Sequence, residues 1–184
     1  MSIKHAMLGL LSWQSFTGYD LKKVIADSEA FYWSGNSNQI YKMLIHLHKE
    51  ELVTSEVQHQ DNAPSKKIYK ITEKGRKELK QWIISVPEPP ALKNTFLIQL
   101  AWADQLDKDE LNGLLEKYEE EVRLQLLMHQ EKARRANNFP NRTNREKYLW
   151  KSIHENIIHT YESELVWVKK LKEELEPLYI QEDR

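Results

Sequence analysis

Three patterns in this 184-residue sequence predict a mainly α fold in two parts: an N-terminal winged helix-turn-helix with a two-stranded wing, then an all-helical domain. The first is a helical stripe of Ile40, Leu44, Leu47 and Glu51-Leu52, with Asn38, Lys42, Ile45 and Lys49 pointing the opposite way. The second is a pair of runs that alternate in β fashion, Leu52 to Gln58 and Lys66 to Ile71. Asp61-Asn62-Ala63-Pro64-Ser65 joins them, and those residue types favour a turn. The third is a break at Ser85-Val86-Pro87-Glu88-Pro89-Pro90, after which the apolar periodicity is wholly helical.

In order, the spacing predicts helices over about 2–12, 17–28 and 36–50, the wing, and a helix over about 72–84. Thr17 and Thr72 are the expected N-caps, because a hydroxyl oxygen there accepts from an otherwise unpaired amide one turn on. Asp20 stands three residues after Thr17, in place of the Glu or Gln of a strict capping box. Leu21, Val24 and Ile25 face inward from the second helix. Three prolines in four residues remove backbone donors and favour extended geometry before them, so a helix ending near Ile84 cannot continue. Domains are therefore expected at 1–86 and 91–184.

Beyond the prolines, Phe96, Leu97, Leu100 and Ala101 mark one helix. Leu111, Leu114, Leu115, Tyr118, Val122, Leu126 and His129 mark a longer one. A third runs from Asn144 to Leu178 with Trp150, Ile153, Ile157, Tyr161, Leu165, Val168, Leu171 and Leu175 at steps of three or four. The polar, Pro-broken stretch 136–143 between the last two is a loop. Amphipathic helices this long bury poorly within one small subunit, so the eight-residue stripe is expected to meet a second copy of the chain. The second domain is thus expected to dimerise.

Composition excludes several classes. No run approaches a membrane span, and Met1-Ser2-Ile3-Lys4-His5 lacks the charged, apolar, small-residue order of a secretory signal, so a soluble cytoplasmic protein is expected. The absence of cysteine excludes disulfides and thiolate chemistry. No Gly-rich phosphate loop, nucleophile elbow or His-Glu-x-x-His motif is present, so neither an enzyme nor a bound cofactor is expected. His46 and His48 are two apart and point to different sides of a helix, which is wrong for shared metal ligation. Glu155 and His159, four apart, read as a helical ion pair, and no metal is expected. The formal charge of -1 hides an asymmetry: residues 1–84 carry 12 Lys/Arg against 9 Asp/Glu, and residues 85–184 carry 15 against 19. The first part is modestly cationic, and a dimer doubles that surplus on one face.

Ala6-Met7-Leu8-Gly9-Leu10-Leu11, Thr17-Gly18-Tyr19-Asp20-Leu21, Trp33-Ser34, Gln39-Ile40-Tyr41 and Tyr69-Lys70-Ile71-Thr72-Glu73-Lys74-Gly75 resemble, in order and spacing, the PadR family of bacterial transcriptional regulators. Lys93-Asn94-Thr95-Phe96-Leu97 and the helical half with Trp167-Val168 are similar to the longer subfamily with a C-terminal dimerisation domain. The resemblance implies a homodimer that binds a palindromic operator, usually represses, and is released by a small molecule; the founding members answer to phenolic acids. Two positions depart from the family pattern. Lys42 stands where many relatives carry Pro, and Glu51 where a Gly often precedes Leu52-Val53, so the helix is expected to end without the usual left-handed glycine.

The expected DNA contacts follow from residue chemistry and place. Ser34, Asn36, Ser37, Asn38 and Gln39 gather hydroxyls and amides at a helix start, where free N–H groups also favour a phosphate. Asn38 and Lys42 suit base edges, since amides pair with adenine and Lys donates to guanine. Tyr41 either hydrogen-bonds a phosphate or packs on the wing. Lys66 and Lys67 either reach the neighbouring groove or solubilise the hairpin, and Tyr19 and Lys22 are placed to touch phosphate. An aromatic effector pocket is drawn from Trp33, Phe96, Trp102, Trp150, His154 and Tyr161, with Arg123 as a carboxylate partner; ordinary core packing explains the same aromatics. The alternative functions are a protein-binding winged-helix adaptor without an operator, and an activator.

Overall fold

A computed structural model describes residues 3–28, 37–60, 63–90, 94–135 and 140–182. By contacts the chain divides into two units, Met1–Glu88 and Pro89–Arg184. The first orders α1 (Ile3–Trp13), β1 (Phe16–Thr17), α2 (Gly18–Asp27), α3 (Ser37–Lys49), β2 (Val53–Gln60), β3 (Ala63–Ile71) and α4 (Glu73–Ile83). The second holds α5 (Thr95–Ala101), a 3-10 turn at Ala103–Gln105, α6 (Lys108–Arg135) and α7 (Asn144–Glu182).

The core of the first unit is the stripe read from sequence. Ile40, Leu44 and Leu47 of α3 meet Met7, Leu8, Leu10 and Leu11 of α1 and Leu21 and Ile25 of α2, all buried. Val53, Tyr69 and Ile71 close that core from the hairpin. Thr17 caps α2 by accepting from the Asp20 amide at 3.1 Å. Asp20 does not complete a capping box; its carboxylate accepts from the Thr17 hydroxyl at 2.7 Å. Thr72 caps α4 by accepting from the Gly75 amide at 3.0 Å, and its own amide donates to the Leu52 carbonyl at 3.0 Å. A β-carbon on Gly75 would lie 2.2 Å from that same carbonyl oxygen, so α4 can approach the end of α3 this closely only with glycine there.

The wing differs from expectation in two ways. Its strands are longer, pairing from Val53↔Ile71 to Gln60↔Ala63 with an irregularity between Gln58 and Gln60, so residues 63–65 belong to β3 and not to the turn. A third strand exists: Phe16 pairs with Tyr69 and Thr17 with Ile68, giving the sheet order β1-β3-β2. Two residues are too few to show an alternation, which hid β1 in the sequence.

α3 also ends differently. Glu51 has a φ of 60°, so the termination takes the left-handed conformation that favours glycine, with a side chain on it. The Leu52 amide donates to the Leu47 carbonyl at 2.9 Å and the Glu51 amide to His48 at 3.1 Å, the two bonds of a Schellman termination.

In the second unit Phe96 is buried beneath Tyr118, with ring centroids 3.6 Å apart, and meets Trp167 edge-on at 6.1 Å. Leu111 and Leu115 complete this core, on which Leu171, Leu175 and Tyr179 of α7 pack. Asn94 caps α5 by accepting from the Phe96 amide at 3.0 Å, and its amide group donates to Tyr118 Oη at 2.9 Å and Glu164 Oε1 at 3.2 Å. Tyr118 donates to the same Glu164 oxygen at 2.5 Å. Burial first, and the Glu164 hydrogen bond second, push the Tyr118 phenol up to about 12. The Glu155 to His159 pair is not formed: Glu155 pairs with Lys151 at 3.1 Å, and His159 lies 4.0 Å from Glu162. Both alternatives sit on the same helix at equivalent spacing, so residue types alone did not choose between them. Among the described residues no helix is long and apolar enough to cross a membrane.

Candidate nucleic-acid interface

The helix-turn-helix is set by a close approach. A β-carbon on Gly18 would sit 2.6 Å from Tyr41 Cε1 and 3.2 Å from Leu44 Cδ1, so the first residue of α2 lies against α3 with the Tyr41 ring across it. Tyr41 therefore packs on α2, while nearly half of it stays exposed. With Ile40, Leu44 and Leu47 held in the core, Asn38, Gln39, Lys42, Ile45, His46 and Lys49 are exposed. One face of α3 is thus open along its length and polar except at Ile45.

Around that face lie the other expected contacts. Tyr19 and Lys22 are exposed on α2. Lys66 and Lys67 are exposed on β3, and as strand neighbours they point to opposite faces of the hairpin. Lys67 turns toward the side of Tyr69, its Nζ 5.5 Å from the ring centroid. Lys66 sits across from Gln58, an exposed amide that alternation along β2 pointed to but that was not singled out. Among the described residues no carboxylate pairs with Lys22, Lys42, Lys66 or Lys67, whereas Lys4 bridges Glu50 at 3.3 Å and Glu78 at 2.8 Å. The Glu78 hydrogen bond raises the Lys4 pKa, and burial lowers that of neighbouring His5, which stacks on Trp82. That cluster ties α1 to α4; the unpaired ammonium groups lie elsewhere. Trp33, Ser34 and Asn36 fall outside the described residues, as does the side chain of Ser37.

The aromatic residues grouped as an effector pocket have different surroundings, and Trp33 lies outside the described residues. Phe96 is core, and Trp102 is 68% exposed. Arg123 donates to Glu119 at 2.7 Å, and the Glu119 carboxyl, held first by Lys172 and then by Arg123, lies below the usual range. Tyr161 stacks on His129 with centroids 4.8 Å apart. Trp150 and His154 share a cavity of about 710 Å³, with Tyr148, Lys147 and Lys151 on its wall.

Of the stripe assigned to dimerisation, Val168 is already buried within its own unit, and Leu171 and Leu175 cover its core. Ile153 is exposed; Trp150, Ile157, Tyr161 and Leu165 are half-buried. Further apolar exposure lies at Leu124, Leu127 and Met128 of α6 and at Leu149 of α7. Spacing along one helix does not separate the side that covers its own core from the side left open.

Residues 7–81 match the Transcriptional regulator PadR-like family, and residues 92–176 match the family described as Virulence activator alpha C-term. The negative transcriptional regulator PadR of Bacillus subtilis is 31% identical over 113 residues, 61% of this chain and 62% of that protein. By the family match residues 7–81 form a domain of the PadR-like type. The chain spans less than two thirds of the length of the curated relatives it matches.

Solved structures show the same fold. Bacillus subtilis PadR in complex with operator DNA has a TM-score of 0.79 at 24% identity, covering 92% of this chain and 95% of that one. The same regulator with p-coumaric acid gives 0.75 at 22% identity, covering 92% of each chain. The Vibrio cholerae virulence activator AphA gives 0.72 at 22% identity, covering 96% of this chain and 99% of its own.

Proposed function

We propose that this PadR-like chain is a sequence-specific regulator that binds an operator as a homodimer and represses, with a small effector, of aromatic class, releasing it. Residues 1–86 bind DNA and residues 91–184 dimerise. One observation carries the reading: α3 buries Ile40, Leu44 and Leu47 and leaves Asn38, Gln39, Tyr41 and Lys42 on an open face beside a lysine-bearing wing. The PadR-like match of residues 7–81 supports it, as does the operator complex of the Bacillus subtilis relative.

In this mechanism Tyr19, Lys22 and Lys66 hold the phosphate backbone and fix the register, while Asn38 and Lys42 read base edges at about 1 to 3 kcal/mol of discrimination per good contact. Lys67 and Tyr41 add backbone contacts, with Ser34, Asn36 and Ser37 at the helix start. The dimer holds two α3 helices about 34 Å apart, one turn of DNA, through the exposed apolar residues of α6 and α7. An effector that prefers a different spacing lowers affinity by the difference in its binding to the two states. Among the residues proposed for it, Trp150 and His154 share a cavity, which makes that end of α7 the place to look first. Activation is the second reading, favoured by the match of residues 92–176 to a family named for virulence activators.

The test is selection from random duplexes at low salt. Enrichment of a palindrome with half-sites about one turn apart is the expected result. No enriched sequence, with dimerisation intact, would overturn the reading and leave a protein-binding adaptor. A promoter fusion carrying the selected site then separates repression from activation by the sign of the change in output.

A further inference from the structure

We propose that Ile45 reads the methyl group of a thymine in the major groove and is a specificity-determining residue of the interface. This rests on the DNA-binding reading of α3. Ile45 is 68% exposed, although Ile40, Leu44 and Leu47 of that helix are buried in the core and Met43 packs against it. Single exposed hydrophobics are ordinary on protein surfaces, so exposure alone means little. Position singles this one out.

Residues 38, 42, 45 and 49 recur at steps of four, three and four, which places Ile45 within the exposed stripe of Asn38, Lys42 and Lys49. A β-branched residue is also a slightly poorer helix former than the Lys or Gln that solvent alone would accept there. Ile45 therefore contributes neither to the core nor to helix propensity.

What it can contribute is an apolar contact, and the major groove offers few. Phosphates, sugar oxygens and most base edges are polar, and a hydrocarbon set against them strips their water without replacing it. Thymine alone among the four bases presents a methyl group in that groove. Ile45 follows Asn38 by seven residues, about 10 Å along the helix axis, so it reaches a different base pair from the one Asn38 meets. The two cations on the same stripe favour nucleic acid over an apolar protein surface as the occupant. Ile45 thus selects T·A over C·G at one step of each half-site without any hydrogen bond.

Deoxyuridine tests this directly, because it pairs as thymine does and lacks only the methyl. In the selected duplex each thymine of a half-site is replaced singly, and binding of the full chain is followed by fluorescence anisotropy. Wild type should lose about fourfold in affinity at one replacement, the worth of one buried methyl. Ile45→Ala should bind both duplexes alike at that step and keep its response to changes elsewhere in the site. An unchanged thermal transition for Ile45→Ala would show that the fold is intact. Wild-type indifference to every replacement, or the same sensitivity in Ile45→Ala, would overturn this proposal alone. Failure to select any duplex would overturn the DNA-binding reading and this proposal with it.

Discussion

Glu51 holds a φ of 60° at the end of α3, a conformation that a side chain makes costly by about 1 kcal/mol. Its carboxylate lies 3.1 Å from Lys74, but both groups are largely exposed and such pairs contribute little. Glu51→Gly should therefore raise stability by about 1 kcal/mol in urea unfolding, with α3 and the residues proposed to face DNA unmoved. Gly75→Ala should do the opposite, by about 2 kcal/mol or more, because its β-carbon meets backbone and not a side chain that can turn aside. Tyr118 adds a pH dependence. Its phenol, normally near 10, sits at about 12 in the fold, so the folded form keeps a proton that the unfolded chain has lost. Its stabilising share is complete below the lower value and is lost as pH climbs to the upper one. Thermal unfolding across that window should fall more steeply for wild type than for Tyr118→Phe. The sequence led to the expectation of a helix end without a left-handed glycine; it held nothing on the backbone angle, and Glu51 itself takes the left-handed conformation.

Elements differed in how much of them was legible. The Thr17 and Thr72 caps and the stripe of α3 were, because a hydroxyl at a helix start and a period of three to four each follow from local chemistry. β1 was not, since its two residues pair with Tyr69 and Ile68 some fifty positions away. The candidate DNA face was legible to the extent that it is the reverse of a buried stripe. Residue type did not sort the effector grouping, because an aromatic ring can be core, as Phe96 under Tyr118 is, or exposed, as Trp102 is. α7 lay between these: its period was visible, but not that Val168 is covered by its own unit while Ile153 is open. A pair of charges separates these roles. Val168→Asp should lower the thermal transition strongly, as a buried unpaired carboxylate does. Leu127→Asp with Ile153→Asp should leave the fold intact and dissociate the proposed dimer in sedimentation, and operator affinity should fall with it.

At the scale of the whole molecule, charge and architecture divide the labour. The surplus of Lys and Arg lies in residues 1–84 and the surplus of Asp and Glu in residues 85–184, so the proposed attraction to DNA is concentrated in the part that holds α3 and the wing. A chain ending at Ile84 keeps every proposed DNA contact and loses the proposed means of pairing them. Such a truncation should bind the selected operator weakly, as one half-site, because the second contact is no longer held nearby at high effective concentration. Full affinity in a monomeric truncation would contradict that division.

The most direct measurement compares wild type with Asn38→Ala, Lys42→Ala double variant by fluorescence anisotropy, on the selected operator and on random DNA, at two salt concentrations. The open face of α3 as the base reader predicts a loss of at least about a hundredfold on the operator, with random DNA weakened by no more than about tenfold and both affinities falling with salt. Equal losses on the two DNAs, or none on the operator, would contradict it.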